Sequence, residues 1–138
     1  MPDHRPTILN MRFKPELMRT ILLHLESIPV GQLFTGRFHD ENDPENEQTA
    51  AELNEHAKLL LDTGYLEGIC QKDHRGVPNA FLIRGLTMKG HEFLANARNN
   101  TVWKKVLAKA QAEGSSVSVT VLNGLLSAAA KKYAGLGD

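Results

Sequence analysis

The chain has 138 residues and a formal net charge of zero, because 16 lysines and arginines balance 16 acidic residues. Hydrophobic residues make up 41% and charged residues 23%, which is typical of a soluble globular domain. The single cysteine, Cys70, excludes an internal disulfide and favours a cytoplasmic location, and no apolar run reaches membrane-spanning length.

The first predicted helix follows an N-terminal arm, residues 1–9, that we expect to be flexible. Pro15 suits a first helical turn, since its missing N–H would have no partner there. Pro29 and Gly31 end the helix. Its apolar stripe consists of Leu17, Ile21, Leu22, Leu25 and Ile28.

Two less regular segments come next. Residues 30–38 form either a short strand or an apolar loop, because their apolar side chains lie among glycines. Residues 39–48, HDENDPENEQ, predict a flexible acidic loop. The acidic residues lack the spacing of a calcium-binding loop, so we do not expect calcium there.

A second helix feeding a hairpin is the best-specified part of the sequence. The helix is predicted to begin at Thr49, whose spacing from Glu52 matches a capping box. Gly64 suits the left-handed residue that ends a helix. Strands over residues 66–71 and 80–86 then form a hairpin, and the tip between them is basic and rich in turn residues.

Three helices complete the chain. Thr87 is predicted to cap a helix over residues 88–98, in which Gly90 allows a close backbone approach. Thr101 is predicted to cap the next helix, over residues 102–113.

The last helix is separated from its predecessor by residues 114–116 and is predicted over residues 117–133. Apolar side chains cover much of its circumference. Such a helix must be buried, either within its own domain or against a partner.

Charge is unevenly distributed along the chain. From Asp40 to Glu55 there are seven acidic residues and no lysine or arginine. From Arg84 to Lys132 there are eight basic residues and two acidic ones. A nucleic-acid binder concentrates basic charge on its reading element, whereas here that charge lies downstream of it.

Four sequence blocks carry a resemblance to a known family. They are His56-x-Lys58-Leu59-Leu60, Gly64-x-Leu66-Glu67-Gly68, Leu86-Thr87-x-x-Gly90-His91-Glu92-Phe93-Leu94 and Thr101-Val102-Trp103-x-Lys105-Val106. With these blocks in order, the chain resembles the bacterial and phage-borne family catalogued as domain of unknown function 2513. The resemblance implies a winged-helix-like core, a helical extension and a phage or prophage association. It implies no catalytic residues, because the family has no established activity.

The predicted fold class is therefore α+β and mostly helical. A winged-helix-like core over residues 10–98 would contain a helix, a recognition-type helix and a two-stranded wing. Residues 99–138 would form a helical C-terminal extension, and the two parts would make one compact unit.

Binding of double-stranded DNA, as a homodimer, is one functional hypothesis. The polar face of the second helix would contact the duplex, and the hairpin tip would reach phosphates. Glu52 and Glu55 on the same face oppose this hypothesis because they would repel phosphate oxygens. The predicted nucleic-acid contacts are Gln48, Asn54, Lys58, Lys72, His74 and Arg75.

The alternative is a protein-interaction module that binds no DNA. The acidic loop, the acidic helix face and the apolar last helix favour it. The predicted oligomer interface consists of Trp103, Leu122, Leu125 and Leu126.

No enzymatic activity, metal site or cofactor is expected. None of the six histidines pairs with another at zinc spacing, and no phosphate-binding glycine loop or nucleophile elbow is present. We interpret His56 and His91 as residues that make structural hydrogen bonds near the core.

Overall fold

The fold is α+β and mostly helical, as predicted. The computed structural model describes residues 13–112 and 118–133. The elements in chain order are α1 (Pro15–Glu26), β1 (Phe34–Gly36), α2 (Glu47–Asp62), β2 (Leu66–Lys72), β3 (Pro78–Leu86), α3 (Met88–Ala97), α4 (Asn100–Ala112) and α5 (Val119–Tyr133). The predicted arm of residues 1–9 and the predicted break at residues 114–116 lie outside the described residues.

The three strands form one antiparallel sheet in the order β1–β3–β2. The predicted hairpin is confirmed, with Ile69 and Leu82 as Cα partners in β2 and β3. Of the two alternatives for residues 30–38, the strand is correct, because Phe34 of β1 pairs with Ile83 of β3. The hairpin thereby gains a third strand from a distant part of the sequence.

The start of α2 differs from the predicted capping box at Thr49. The helix begins at Glu47, and the side-chain oxygen of Asn46 accepts a hydrogen bond from the Thr49 backbone N–H at 3.1 Å. Asparagine is a strong N-cap residue, and Asn46 takes the capping role three residues before Thr49, the predicted helix start. Glu52 is left free to bind elsewhere, and its carboxylate accepts a hydrogen bond from Lys14 Nζ at 2.9 Å.

The end of α2 agrees with the prediction. Gly64 has a φ of 88°, which is the left-handed conformation expected of it. The Tyr65 N–H donates to the Leu60 carbonyl at 2.9 Å, and the Gly64 N–H donates to the Leu61 carbonyl at 3.3 Å. This pair of bonds is the Schellman motif, and it delivers the chain directly into β2.

The predicted cap of α3 is confirmed, and the predicted cap of α4 is corrected. Thr87 caps α3, as predicted, by accepting a hydrogen bond from the Gly90 N–H at 3.2 Å. A Cβ at Gly90 would collide with the carbonyl oxygen of Tyr65, which confirms the close approach. Thr101 does not cap α4. Asn99 does so instead, accepting from the Val102 N–H at 3.0 Å.

One hydrophobic cluster runs through the described residues, and α5 is part of it. Leu122 and Leu126 of α5 are almost fully buried against α4 and α3. Phe93 of α3 packs edge-on between Tyr65 and Trp103, with ring centroids 6.2 Å from each. The predicted core and extension therefore share a continuous apolar interior.

Candidate functional site

Asn54 of α2 is buried and bound within the chain. Its side chain accepts a hydrogen bond from the Phe38 N–H at 2.8 Å and donates to the carbonyls of Phe38 at 3.0 Å and Ala50 at 2.7 Å. Only 2% of the residue is exposed. The predicted placement of Asn54 on a DNA-contacting face is wrong, because this amide ties Phe38, two residues beyond the end of β1, to α2.

The other two predicted contacts on α2 are already paired. Lys58 Nζ lies 2.6 Å from Asp62 Oδ2, and this hydrogen bond raises the pKa of the Lys58 ammonium. Gln48 is exposed and donates to a carboxylate oxygen of Glu52 at 3.4 Å. With Glu47 also exposed, the accessible side of α2 is mainly acidic. That sign of charge is unsuited to a phosphate backbone.

Glu55 is buried as well, although its helical position suggests an outer face. It is 5% exposed, and desolvation raises the pKa of its carboxyl despite the nearby Lys58 and Lys72 ammonium groups. Contacts from β2 and β3 to α2 account for the burial, because they bring the hairpin over a second side of the helix.

His56 makes the structural hydrogen bonds that its sequence context predicts. Its Nδ1 lies 2.7 Å from the Glu52 carbonyl oxygen, and its Nε2 lies 2.9 Å from the Lys14 backbone nitrogen. Because Lys14 N–H must donate, Nε2 accepts and Nδ1 carries the proton. Burial lowers the pKa of this imidazole. His91 is exposed, so the interpretation that its side chain makes a structural hydrogen bond near the core is wrong.

The hairpin tip carries the remaining predicted DNA contacts, Lys72, His74 and Arg75, and all three are exposed. Arg75 is folded back, with its guanidinium 3.0 Å from the carboxylate of Asp73. Hydrogen bonds from the Val77 N–H and from Arg75 lower the pKa of Asp73 to about 2. The turn is thus held by an ionised aspartate that also pairs with the exposed Arg75, whereas Lys72 and His74 are exposed and are not part of this pair.

The predicted oligomer interface is largely covered by this chain. Trp103 is 5% exposed and lies beneath the Arg19 guanidinium, 5.3 Å from the ring centroid. Leu122 and Leu126 are 0% and 1% exposed. Three of the four predicted interface residues therefore stabilise the monomer, and only Leu125 keeps part of its surface accessible.

Leu125 lies in a surface groove between α4 and α5. The groove encloses about 490 Å³. We define this α4–α5 groove by its lining residues, Val102, Lys105, Val106, Lys109, Leu125, Ala128, Ala129 and Lys132. Its floor is apolar and its charged residues are all lysines.

A second cavity of about 570 Å³ lies between α1 and the acidic loop. Leu17, Ile21 and Phe38 contribute to its apolar wall. On its rim, His24 Nδ1 lies 3.6 Å from Glu41 Oε2. The charged residues of the α4–α5 groove are lysines, whereas this cavity is lined by the acidic residues Asp40 and Glu41.

Two exposed apolar side chains lie on the sheet. Ile69 is 61% exposed and its Cα partner Leu82 is 38% exposed. An isolated pair of this kind is ordinary on protein surfaces and does not define an interface.

Residues 13–112 and 118–133 contain neither a candidate metal cluster nor a candidate membrane-spanning helix. No three His, Cys, Asp or Glu groups there come close enough to hold a metal ion. Nor does any helix within those ranges have the length and apolar character needed to cross a membrane.

Comparison with known proteins places the chain in a family without assigning an activity. The sequence profile of the family described as "Hypothetical protein (DUF2513)" matches residues 12–116. An "Uncharacterized protein" of Haemophilus influenzae (strain ATCC 51907 / DSM 11121 / KW20 / Rd) is 33% identical over 116 residues, covering 78% of this chain and 85% of that protein. No solved structure matches significantly. The chain therefore belongs to the DUF2513 family, domain of unknown function 2513.

Proposed function

We propose that this chain is a non-enzymatic protein-interaction module on a winged-helix-like scaffold. The element order α1–β1–α2–β2–β3 and the strand order β1–β3–β2 support the scaffold assignment. In it, α2 has the position of a recognition helix and the β2–β3 hairpin is the wing. Residues 39–46 contain no helix, so α2 lacks the preceding helix of a helix-turn-helix.

The α4–α5 groove is the observation that carries this proposal. Protein interfaces combine an apolar centre with a polar rim, and the groove has both on adjacent helices. The accessible side of α2, where DNA would be read, is acidic and internally paired. Recognition of a protein surface therefore suits this chain better than reading of a duplex by α2.

Site-specific photo-crosslinking tests the proposal. A benzophenone amino acid replaces Ala128, which lines the groove, in the cells that normally express the protein. Ala108 is the matched control, because it is an exposed alanine on α4 outside the groove. We expect a discrete adduct with another protein chain from position 128 and none from position 108. The same adducts from both positions, or none from either, would contradict the proposal.

Duplex binding by the hairpin tip is a second candidate function. The exposure of Lys72 and His74 favours it. It predicts salt-dependent binding to random-sequence duplex that is lost in the double variant Lys72→Glu, Arg75→Glu. Absence of binding at low salt in a sensitive anisotropy assay would eliminate it, and the crosslinking result would be unaffected.

A further inference from the structure

We propose that the α4–α5 groove binds an acidic amphipathic helix of a partner protein. This inference rests on the proposed interaction function and specifies the chemistry of the partner. Helix-in-groove recognition places an apolar stripe of one helix against an apolar floor, with flanking charges setting the specificity.

The floor of the groove supplies the apolar half of this recognition. Val102 and Val106 form the α4 side and are mostly buried beneath the surface. Leu125 and Ala129 on α5 are partly exposed, and Ala128 is exposed. Small alanines beside a leucine leave room for larger apolar side chains to enter from outside.

The length of the groove matches about two helical turns. Its lining runs from Val102 to Lys109 on α4 and from Leu125 to Lys132 on α5. Seven residues of helix rise about 10 Å, so each wall is about that long. A partner helix laid along it would contribute apolar anchors at positions i, i+3 or i+4, and i+7.

The rim determines the sign of the partner's charge. Lys105, Lys109 and Lys132 are all exposed, and none is within ion-pair distance of a carboxylate among the described residues. Within their bounds, α4 and α5 together carry five lysines and no acidic residue. A partner with aspartates or glutamates beside its apolar stripe would complement both walls at once.

Other occupants match only part of this chemistry. The chain's own acidic segment, residues 40–47, has no apolar side chain other than the ring of Pro44, so it has no apolar stripe with which a second copy would fill the floor. Nucleic acid would pair with the lysines but would leave the apolar floor uncovered. Trp103 cannot act as a base-stacking platform, because it is buried.

Fluorescence anisotropy with the full chain and designed peptides tests the inference. The first peptide is a labelled helix with an apolar stripe flanked by glutamates. A second has the same composition in scrambled order, and a third has lysines in place of the glutamates. We expect the first peptide to bind at least about tenfold more tightly than either of the others.

Variants of the chain locate the binding. The double variant Lys109→Glu, Lys132→Glu should weaken binding of the first peptide at least about tenfold, because it reverses charge on both walls. Lys104→Glu is the matched control, since Lys104 is exposed on α4 but does not line the groove, and it should change affinity less than about twofold. Thermal unfolding of each variant verifies that the fold is intact.

Several outcomes would overturn the inference. Equal binding of the scrambled peptide would mean charge attraction alone, and equal loss in Lys104→Glu would mean that the groove is not the site. Tight binding of a long-chain fatty acid without the peptide would identify a lipid-like ligand. Self-association in ultracentrifugation that the double variant abolishes would identify a second copy as the occupant. If the peptide fails but position 128 still crosslinks to a protein, the interaction function stands and only the acidic-helix partner is lost.

Discussion

The α1–α2 junction and the α4–α5 groove differ in whether their polar groups have bonding partners within the chain. We define the junction by Lys14, Glu52, Asn54 and His56, which bond to one another or to nearby backbone. In the groove, three lysines surround an apolar floor without a carboxylate partner among the described residues. Buried polar groups need internal partners because desolvation is costly, whereas solvated charges do not. The internal bonds of the junction stabilise the fold, whereas the rim lysines of the groove are exposed to solvent.

The largest effect should come from the junction. Asn54→Leu keeps a similar shape but leaves the buried N–H and carbonyl of Phe38 unpaired, so we expect a loss of about 3 kcal/mol of unfolding free energy. Urea denaturation at neutral pH measures it. Gln48→Ala on the exposed side of the same helix should change stability by less than about 0.5 kcal/mol. Similar small losses in both variants would show that the Asn54 bonds contribute little.

Two helical glycines extend the comparison to backbone packing. Gly90→Ala should destabilise by about 2 kcal/mol, because the new Cβ would meet the Tyr65 carbonyl. Gly124→Ala, on α5, should stabilise by about 1 kcal/mol, since nothing lies within 4 Å of its Cβ position and alanine favours helix. Thermal or urea unfolding of the two variants tests this prediction. Changes in stability of the same sign in both would contradict the difference in packing.

His56 should make the stability of the junction depend on pH. Its pKa is lowered in the folded chain, so the unfolded chain takes up this proton first as pH falls. The stabilisation is complete above the unfolded pKa, near 6.5, and decreases on acidification by at most about 1.4 kcal/mol per pH unit. Glu55 affects the pH dependence of stability with the opposite sign, because its pKa is raised in the folded chain.

The contribution of His56 is isolated by comparing the pH profile of stability of a His56 variant with that of the unmodified chain. His56→Gln should flatten the stability profile between about pH 5 and 7, relative to the unmodified chain. His74→Gln, at the exposed hairpin tip, is the control and should leave the profile unchanged. An unchanged profile in His56→Gln would show that the buried imidazole is not the titrating group.

The smallest effect belongs to the groove. Lys109→Gln with Lys132→Gln should change the unfolding free energy by less than about 0.5 kcal/mol, because neither ammonium has a bonding partner to lose among the described residues. Urea unfolding of this double variant and of Asn54→Leu under the same conditions measures the difference between the groove and the junction directly. A substantial loss of stability would assign these lysines to the fold and remove the basis of the comparison.

Local signals in the sequence were sufficient for much of the fold. Pro15 starts α1, Gly64 ends α2 and Thr87 caps α3, as their types predict. The two missed caps have one cause. Asn46 and Asn99 each lie a few residues before the threonine that was assigned, and both residue types cap well. Sequence alone does not decide between two competent caps so close together.

Burial on α2 could not be predicted in the same way. Helical periodicity assigns burial to apolar positions, so it predicts that Asn54 and Glu55 face outward. In the structure, α1, Phe38 and the β2–β3 hairpin all contact the helix. Those contacts join residues distant in sequence. The candidate site was missed for a related reason, because the groove exists only once α5 packs on α4.

The position of β1 has a consequence for the order of folding. Its Phe34 pairs with Ile83 across 49 residues, whereas β2 and β3 are joined by a short turn. The local hairpin can form early, but β1 must wait for β3 and then closes a long loop for only three residues of pairing. We expect the amides of the β1–β3 pairing to exchange with solvent sooner than those between β2 and β3. The strand that completes the sheet is thus the first to detach from it.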